Sequence, residues 1–207
     1  KRPYEDGEEP YWIDERTFAA CLDLVEAIAV PVGITFDDGN DSDYEIAVPE
    51  LRRRGLGATI FVLAGKLDQP GYLTSQQVRE IDADPAFTIG SHGMDHQPWP
   101  TLDEAELLRE TAQSQEILSQ LCGRRIDAVG LPFGRYDGRV MRRLAEQGYT
   151  TVYSSDGSPR LGTGNPLPRL SLRKDTDLAS LPARIRASRG IASRIRSELA
   201  VRAKTLR

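Results

Sequence analysis

Val32-Gly33-Ile34-Thr35-Phe36-Asp37-Asp38-Gly39 is the stretch on which the reading of this chain turns. Its apolar, β-branched first half reads as a short strand, and Asp-Asp-Gly ends it with turn residues that cannot continue a buried strand. Two carboxylates therefore stand at the C-terminal end of a strand. In parallel α/β proteins that edge is where reactive groups from several strands converge. Neighbouring side chains on extended backbone point apart, so Asp37 and Asp38 are free to do different jobs, one holding a metal and the other taking a proton.

Further along, Phe87-Thr88-Ile89-Gly90 reads as another strand, and Ser91-His92-Gly93-Met94-Asp95-His96 begins the loop after it. The chain has 2 His residues, and both lie in this segment. On a helical turn His92 and His96 would share a face, because residues four apart lie one above the other. Sites made from two imidazoles and a carboxylate, with positions left open, are a usual form of hydrolytic metal centre. Each pattern alone has a plainer reading: an Asp pair is often a turn or helix N-cap, and a spaced His pair is often a solvated helix face. Their occurrence together at strand ends is the stronger signal.

The rest of the chain alternates strands and helices. Strands are expected at Val30 to Phe36, Ala58 to Leu63, Phe87 to Gly90, Ile126 to Leu131, Thr150 to Ser154 and Leu167 to Leu172. Helices are expected near Asp43 to Arg54, Ser75 to Ala83, Leu102 to Leu121 and Gly138 to Gln147. The third is the clearest, with Leu107, Leu108, Thr111, Ile117, Leu118 and Leu121 near helical spacing and Thr101 to Glu104 as a capped start. Such alternation implies parallel strands joined by right-handed crossovers, an α/β architecture.

Thr35 to Gly39 resembles the first motif of the polysaccharide deacetylases of the NodB-homology type, carbohydrate esterase family 4. His92 to His96 resembles their second, His-Ser/Thr-x-x-His, with Gly93 where the pattern has Ser or Thr. Leu131-Pro132-Phe133-Gly134 is similar to their third, Arg-x-Pro-Tyr/Phe-Gly, and the resemblance covers roughly residues 30 to 172. It implies an incomplete, distorted (β/α) barrel with a metal site at its C-terminal mouth. It also implies that Asp38, His92 and His96 bind a divalent metal, most often zinc with cobalt, nickel or manganese as alternatives, and that Asp37 is the general base. The oxyanion would be met by the backbone N–H of Phe133, with Pro132 and Gly134 shaping that turn. The implied activity is removal of N-acetyl groups from amino sugars of an N-acetylated glycan, such as an exopolysaccharide.

Two departures from the pattern are visible. The third motif's Arg, which helps hold the base carboxylate, aligns with Gly130, leaving Arg135 and Arg169 as candidates for that task. The fifth motif's His, the general acid, is absent, since both histidines are already used and the corresponding segments carry Asp156 and Arg169. Arg cannot give up a proton at working pH. Losing a general acid typically removes about 10²–10⁴-fold of rate, so a slow enzyme is expected. The alternatives are a glycan-binding or scaffolding homologue without turnover, and a C–N hydrolase of a small cyclic amide on the same fold. Trp99, Phe133 and Tyr136 are candidate faces for a pyranose ring, and Pro132, Asp156 and Arg169 candidate substrate contacts.

Composition sets outer bounds. With 207 residues and 39% hydrophobic content, one domain spanning 1–207 is expected, with residues 1–16 as a peripheral acidic arm tacked down by Tyr11, Trp12 and Phe18. A net charge of −4 gives no overall pull towards nucleic acid. Neither a membrane-spanning run nor a secretion signal is present in the chain as given, which leaves a cytoplasmic, membrane-peripheral or, after removal of a signal, extracytoplasmic location open. Cys21 and Cys122 read as core thiols. Residues 184–207 read as a basic helical tail, suited to an anionic membrane surface, an acidic partner, or closure of the barrel with a solvated face. Oligomeric state is not legible.

Overall fold

Six parallel strands lie side by side in the order in which the chain makes them: β1 (Thr35–Phe36), β2 (Ala58–Val62), β3 (Phe87–Ser91), β4 (Ala128–Gly130), β5 (Thr151–Ser154) and β6 (Leu167–Pro168). The computed structural model describes residues 3–4, 7–28, 31–157, 164–187 and 204. Register runs Thr35 to Thr59, Ile60 to Ile89, Ser91 to Val129, Val129 to Val152 and Tyr153 to Leu167. Every connection is a crossover that returns the chain to the same end of the sheet, so the loops after the strands gather there.

The helices form where the sequence caps them. The first, α1 (Glu15–Ala27), starts from Asp14, whose carboxylate accepts the Thr17 N–H. It begins inside the segment expected to be a peripheral arm, and Phe18 on it packs edge-on against Phe36 with ring centroids 5.9 Å apart. Helix α2 (Val48–Arg53) is entered through a π-turn at Asp43–Ala47. Helix α3 (Ser75–Asp82) has a full capping box between Thr74 and Gln77. The long helix expected from Leu102 starts two residues later, at Glu104, capped by Asp103 in place of Thr101, and runs as α4 (Glu104–Leu108), a π-turn (Arg109–Gln113) and α5 (Ser114–Cys122), closing on Gly123 in left-handed conformation. Helix α6 (Gly138–Glu146) is capped by Asp137, and α7 (Leu181–Ala187) follows the last strand.

Helices cover the sheet, so its strands carry runs of buried apolar residues. Ile60, Val62 and Ile89 pack with Leu51, Leu73, Val78, Ile81 and Leu118 in one cluster, while Val129, Leu131 and Val152 pack with Trp99, Leu107, Val140 and Leu144 in the other. The two thiols are free, Cys21 buried and Cys122 partly so.

The outer strands are shorter than their apolar runs. Pairing in β1 begins only at Thr35, preceded by one bond from the Thr59 N–H to the Ile34 carbonyl, because Pro31 has no N–H to give and Gly33 adds no side chain. β6 spans only Leu167–Pro168, and Arg169 adds a last N–H to the Ser154 carbonyl at 2.7 Å. These two edge strands do not pair, yet side chains at their ends meet, as an incomplete barrel requires. The arm is tied beyond β6: Lys174 donates its N–H to the Pro10 carbonyl, and Arg173 lies over the Tyr11 ring. Most of the basic tail, 188–203 and 205–207, lies outside the described residues, as does the centre of the Asp156 to Pro166 loop. Among the described residues no helix is long and apolar enough to cross a membrane.

Candidate active site

Three segments meet where the strands end. Asp37 and Asp38 follow β1, His92 to His96 follow β3, and Pro132 to Gly134 follow β4. Asp38, His92 and His96 each present one donor atom, and these atoms all lie within 4.8 Å of one another. His92 Nε2 stands 3.5 Å and His96 Nε2 3.8 Å from Asp38 Oδ1. The two imidazoles share this site without the helix proposed for them: they lie on an irregular loop, with His96 at φ 58 and Gly93 at φ 90. Loop backbone, not helical periodicity, brings them together.

The donor set fits a divalent metal in chemistry as well as spacing. His92 is buried and its Nδ1 lies 2.8 Å from the Gly130 carbonyl. A carbonyl can only accept, so Nδ1 carries the proton and Nε2 keeps the lone pair that faces the carboxylates. Burial, the larger effect, pushes the His92 imidazole below its usual pKa, against the pull of Asp37 and Asp38. Neutral imidazoles beside an ionised carboxylate are the donors zinc prefers.

Asp37 is held differently. Its two oxygens take the Arg169 guanidinium, Nη1 to Oδ1 at 2.5 Å and Nη2 to Oδ2 at 2.8 Å, and Nη1 also reaches Thr35 Oγ1 at 3.0 Å. Burial alone would raise the Asp37 carboxyl, but Arg169 with His92 and His96 outweighs it and brings the pKa down to about 2. Of the two arginines weighed for this place, Arg169 occupies it. Arg135 instead lies over the Phe133 ring, 5.8 Å from its centroid. The Arg169 guanidinium is itself flanked by the Phe61 and Tyr153 rings.

Phe133 stacks on His96 with ring centroids 4.2 Å apart and remains 56% exposed. Its backbone is left-handed, φ 56, like that of Asp38 at φ 74. Strained residues of this kind cluster where a surrounding structure fixes an active geometry.

Other candidates for substrate contact move elsewhere. Trp99 is 0% exposed and belongs to the core, so it offers no face to a sugar. Tyr136 is buried too, with its hydroxyl donating to Asp156 Oδ2 at 2.9 Å and Lys204 over its ring. Asp156 also takes the Ser154 hydroxyl and an ion pair from Lys204. Pro132 is buried in the turn that carries Phe133. Arg169 is committed to Asp37 and not open to a substrate.

Residues not singled out from sequence complete the site. Asp43 is buried and accepts the Asn40 N–H at 2.9 Å, bracing the Asp37-Asp38-Gly39 turn. Glu110 is buried beneath the His92 to His96 loop and accepts from Met94 and Asp95. Its sign in the sequence is a carboxylate among the inward positions Leu107, Thr111 and Ser114, where a charge has no place without partners.

A family model described as polysaccharide deacetylase matches residues 27–152. The curated Bacillus subtilis (strain 168) protein YxkH is 30% identical over 116 residues, which are 56% of this chain and 41% of that one. The chain thus spans less than half the length of that relative. Among solved structures, the Bacillus anthracis protein BA0330 superposes with a TM-score of 0.77 at 19% identity over 88% of this chain and 65% of its own. IcaB from Ammonifex degensii gives a TM-score of 0.73 at 22% identity over 90% of this chain and 93% of its own. At those identities the likeness is one of fold.

Proposed function

The chain belongs to the polysaccharide deacetylase family, and from that premise we propose that it is a metal-dependent hydrolase removing N-acetyl groups from amino sugars of an oligo- or polysaccharide. The observation that carries this reading is the convergence of Asp38, His92 and His96 within 4.8 Å, with a second carboxylate, Asp37, whose Oδ2 is 4.0 Å from His92 Nε2. A structural ion pair would need neither two imidazoles on one carboxylate nor the separate acid.

Asp38, His92 and His96 would hold the ion, with zinc first and cobalt, nickel or manganese as alternatives. When bound, such an ion polarises an acyl oxygen and brings the pKa of water towards ~7. Asp37 is ionised across the working pH range and accepts the proton of the attacking water. As the oxygen bonds to the acetyl carbon, the backbone N–H of Phe133 meets the developing oxyanion. The C–N bond then breaks, and the proton held on Asp37 passes to the leaving nitrogen, giving acetate and a free amine. A carboxylate this acidic is a weak base, and with no histidine left to act as acid, turnover should be slow. Phe133, exposed beside His96, is the one aromatic candidate still able to meet a sugar face.

The decisive assay is acetate release from N-acetylglucosamine oligomers by metal-loaded protein, run beside Asp37→Asn. Release that depends on metal and disappears in the variant supports the enzyme. Sugar binding without release, with any of the four metals, would favour a binding homologue, a reading that the missing acid keeps in view.

A further inference from the structure

The loop that carries His96 is not held by its own backbone. It passes through two left-handed residues, Gly93 and His96, and its inner groups need partners from outside. On one side the β2 loop supplies them: the Ala64 and Gly65 N–H groups donate to the Gly93 and Met94 carbonyls at 2.9 and 3.1 Å. On the other side the loop's own N–H groups point at a single carboxylate. Glu110 Oε2 accepts from Met94 N at 2.9 Å, Oε1 accepts from Asp95 N at 3.1 Å, and Trp99 Nε1 reaches Oε2 at 3.4 Å. Arg109 Nη1 bridges from Glu110 Oε1 to Asp95 Oδ2, where it pairs at 2.5 Å.

Gly93 is tied to this arrangement. A Cβ there would run into Glu110 Oε2 and would sit 3.3 Å from Trp99 Cζ2. The carboxylate thus fills the space that the Ser or Thr of the usual motif would claim. Glu110 also lies in the π-turn at Arg109–Gln113, a local widening of the helix of the kind often found at functional sites.

We propose that Glu110 is a positioning residue for the metal centre, holding the His92 to His96 loop in its coordinating shape before any ion arrives. The role rests on the deacetylase reading, since it assumes that these histidines are ligands. Partners behind metal ligands commonly tune affinity by roughly 10–100-fold when lost. Glu110→Gln keeps the shape but turns one acceptor into an NH₂ donor facing the loop's N–H groups.

The test is zinc affinity by competition with a chromophoric chelator, together with amide hydrogen exchange of the metal-free protein. Glu110→Gln is expected to weaken zinc binding by roughly 10–100-fold, to recover much of its kcat at saturating zinc, and to speed exchange at Met94 and Asp95. Glu110→Asp, which keeps the charge, should fall between the variant and the original. Unchanged zinc affinity in a folded Glu110→Gln overturns the proposal and leaves the deacetylase reading intact. Failure of the unsubstituted protein to bind zinc, cobalt, nickel or manganese would instead remove the functional reading and this role with it. Should neither variant fold, the unsubstituted protein decides: Met94 and Asp95 amides already protected without metal support a preformed loop. Protection that appears only with zinc assigns the ordering to the ion and overturns the role of Glu110.

Discussion

Arg169 grips both oxygens of Asp37, at 2.5 and 2.8 Å, across a sequence separation of 132 residues. This clasp joins the first strand's end to the last strand's end and supplies Asp37, the proposed base, with the guanidinium that the third motif lacks. The fork matches a carboxylate in a way that an ammonium cannot. Arg169→Lys should therefore lower kcat/KM for acetate release by about 10²-fold or more while leaving metal affinity close to its original value. The pH dependence has a definite sign. The folded pKa of Asp37, about 2, lies below the ordinary 3.8, so the pair's stabilisation is present above about pH 4 and is lost as pH falls towards 2. Melting temperatures of the original and Arg169→Ala should differ at pH 6 and converge across that window. A constant gap from pH 6 to 2 would show that the clasp does not stabilise through the charge of Asp37.

The Gly130 carbonyl fixes the His92 tautomer, and the absent side chain at Gly130 is what lets the ring approach. A Cβ there would stand 3.0 Å from His92 Nδ1 and 3.0 Å from Phe61 Cγ. Gly130→Ala should destabilise the protein by about 1–3 kcal/mol through overpacking, measured by denaturant unfolding of the metal-free protein, and should weaken zinc binding as well. Loss of stability with unchanged zinc affinity would mean that Phe61, not His92, gives way.

How much of this was legible beforehand depended on whether the cause was local. The strands, the alternation and the Asp and His pairs follow from periodicity and turn chemistry, which act over a few residues. The helices that begin at Ser75 and Gly138 were legible in the same way, whereas the capped start expected at Thr101 gave way to Asp103. What was hidden is long-range or depends on burial. Arg169 could be narrowed to one of two arginines, but the choice needed the curl of the sheet that brings β6 to β1. Trp99 looked like a sugar platform because it follows a motif, yet burial against Leu107 and Val140 made it core. Glu110 looked like an ordinary helix acid, and only the loop packed above it gives its charge a reason.

His92 should stay a competent ligand in mild acid better than an exposed histidine would. Burial, chiefly, lowers the His92 pKa, so below the ordinary 6.5 the folded chain holds fewer protons than the unfolded one. Its share of stability is thus complete above 6.5 and declines as pH falls below it. Only the neutral ring is a ligand, so the His92 imidazole of the metal-free protein, followed by NMR, should titrate below the ordinary 6.5 and keep its lone pair for the ion in mild acid. His92→Ala should weaken binding at every pH by more than about 100-fold, beyond the range expected for an outer partner. A His92 ring that titrates at or above 6.5 would contradict a buried, neutral imidazole.

Phe133 separates ring from backbone in one substitution. Its left-handed φ of 56 burdens a residue with a Cβ by about 1–2 kcal/mol, which glycine relieves, while glycine's extra unfolded freedom takes back about 0.5–1 kcal/mol. Because the ring is 56% exposed, little apolar burial is lost. Phe133→Gly should therefore melt at the original temperature or slightly above it. The N–H that would meet the oxyanion is retained, so kcat should hold. Removal of the ring from beside His96 should raise KM for N-acetylglucosamine oligomers about threefold to tenfold, the worth of one stacking contact. A large fall in kcat with KM unchanged would reverse the assignment: the ring would then serve the transition state through His96, and the sugar would have to be held elsewhere.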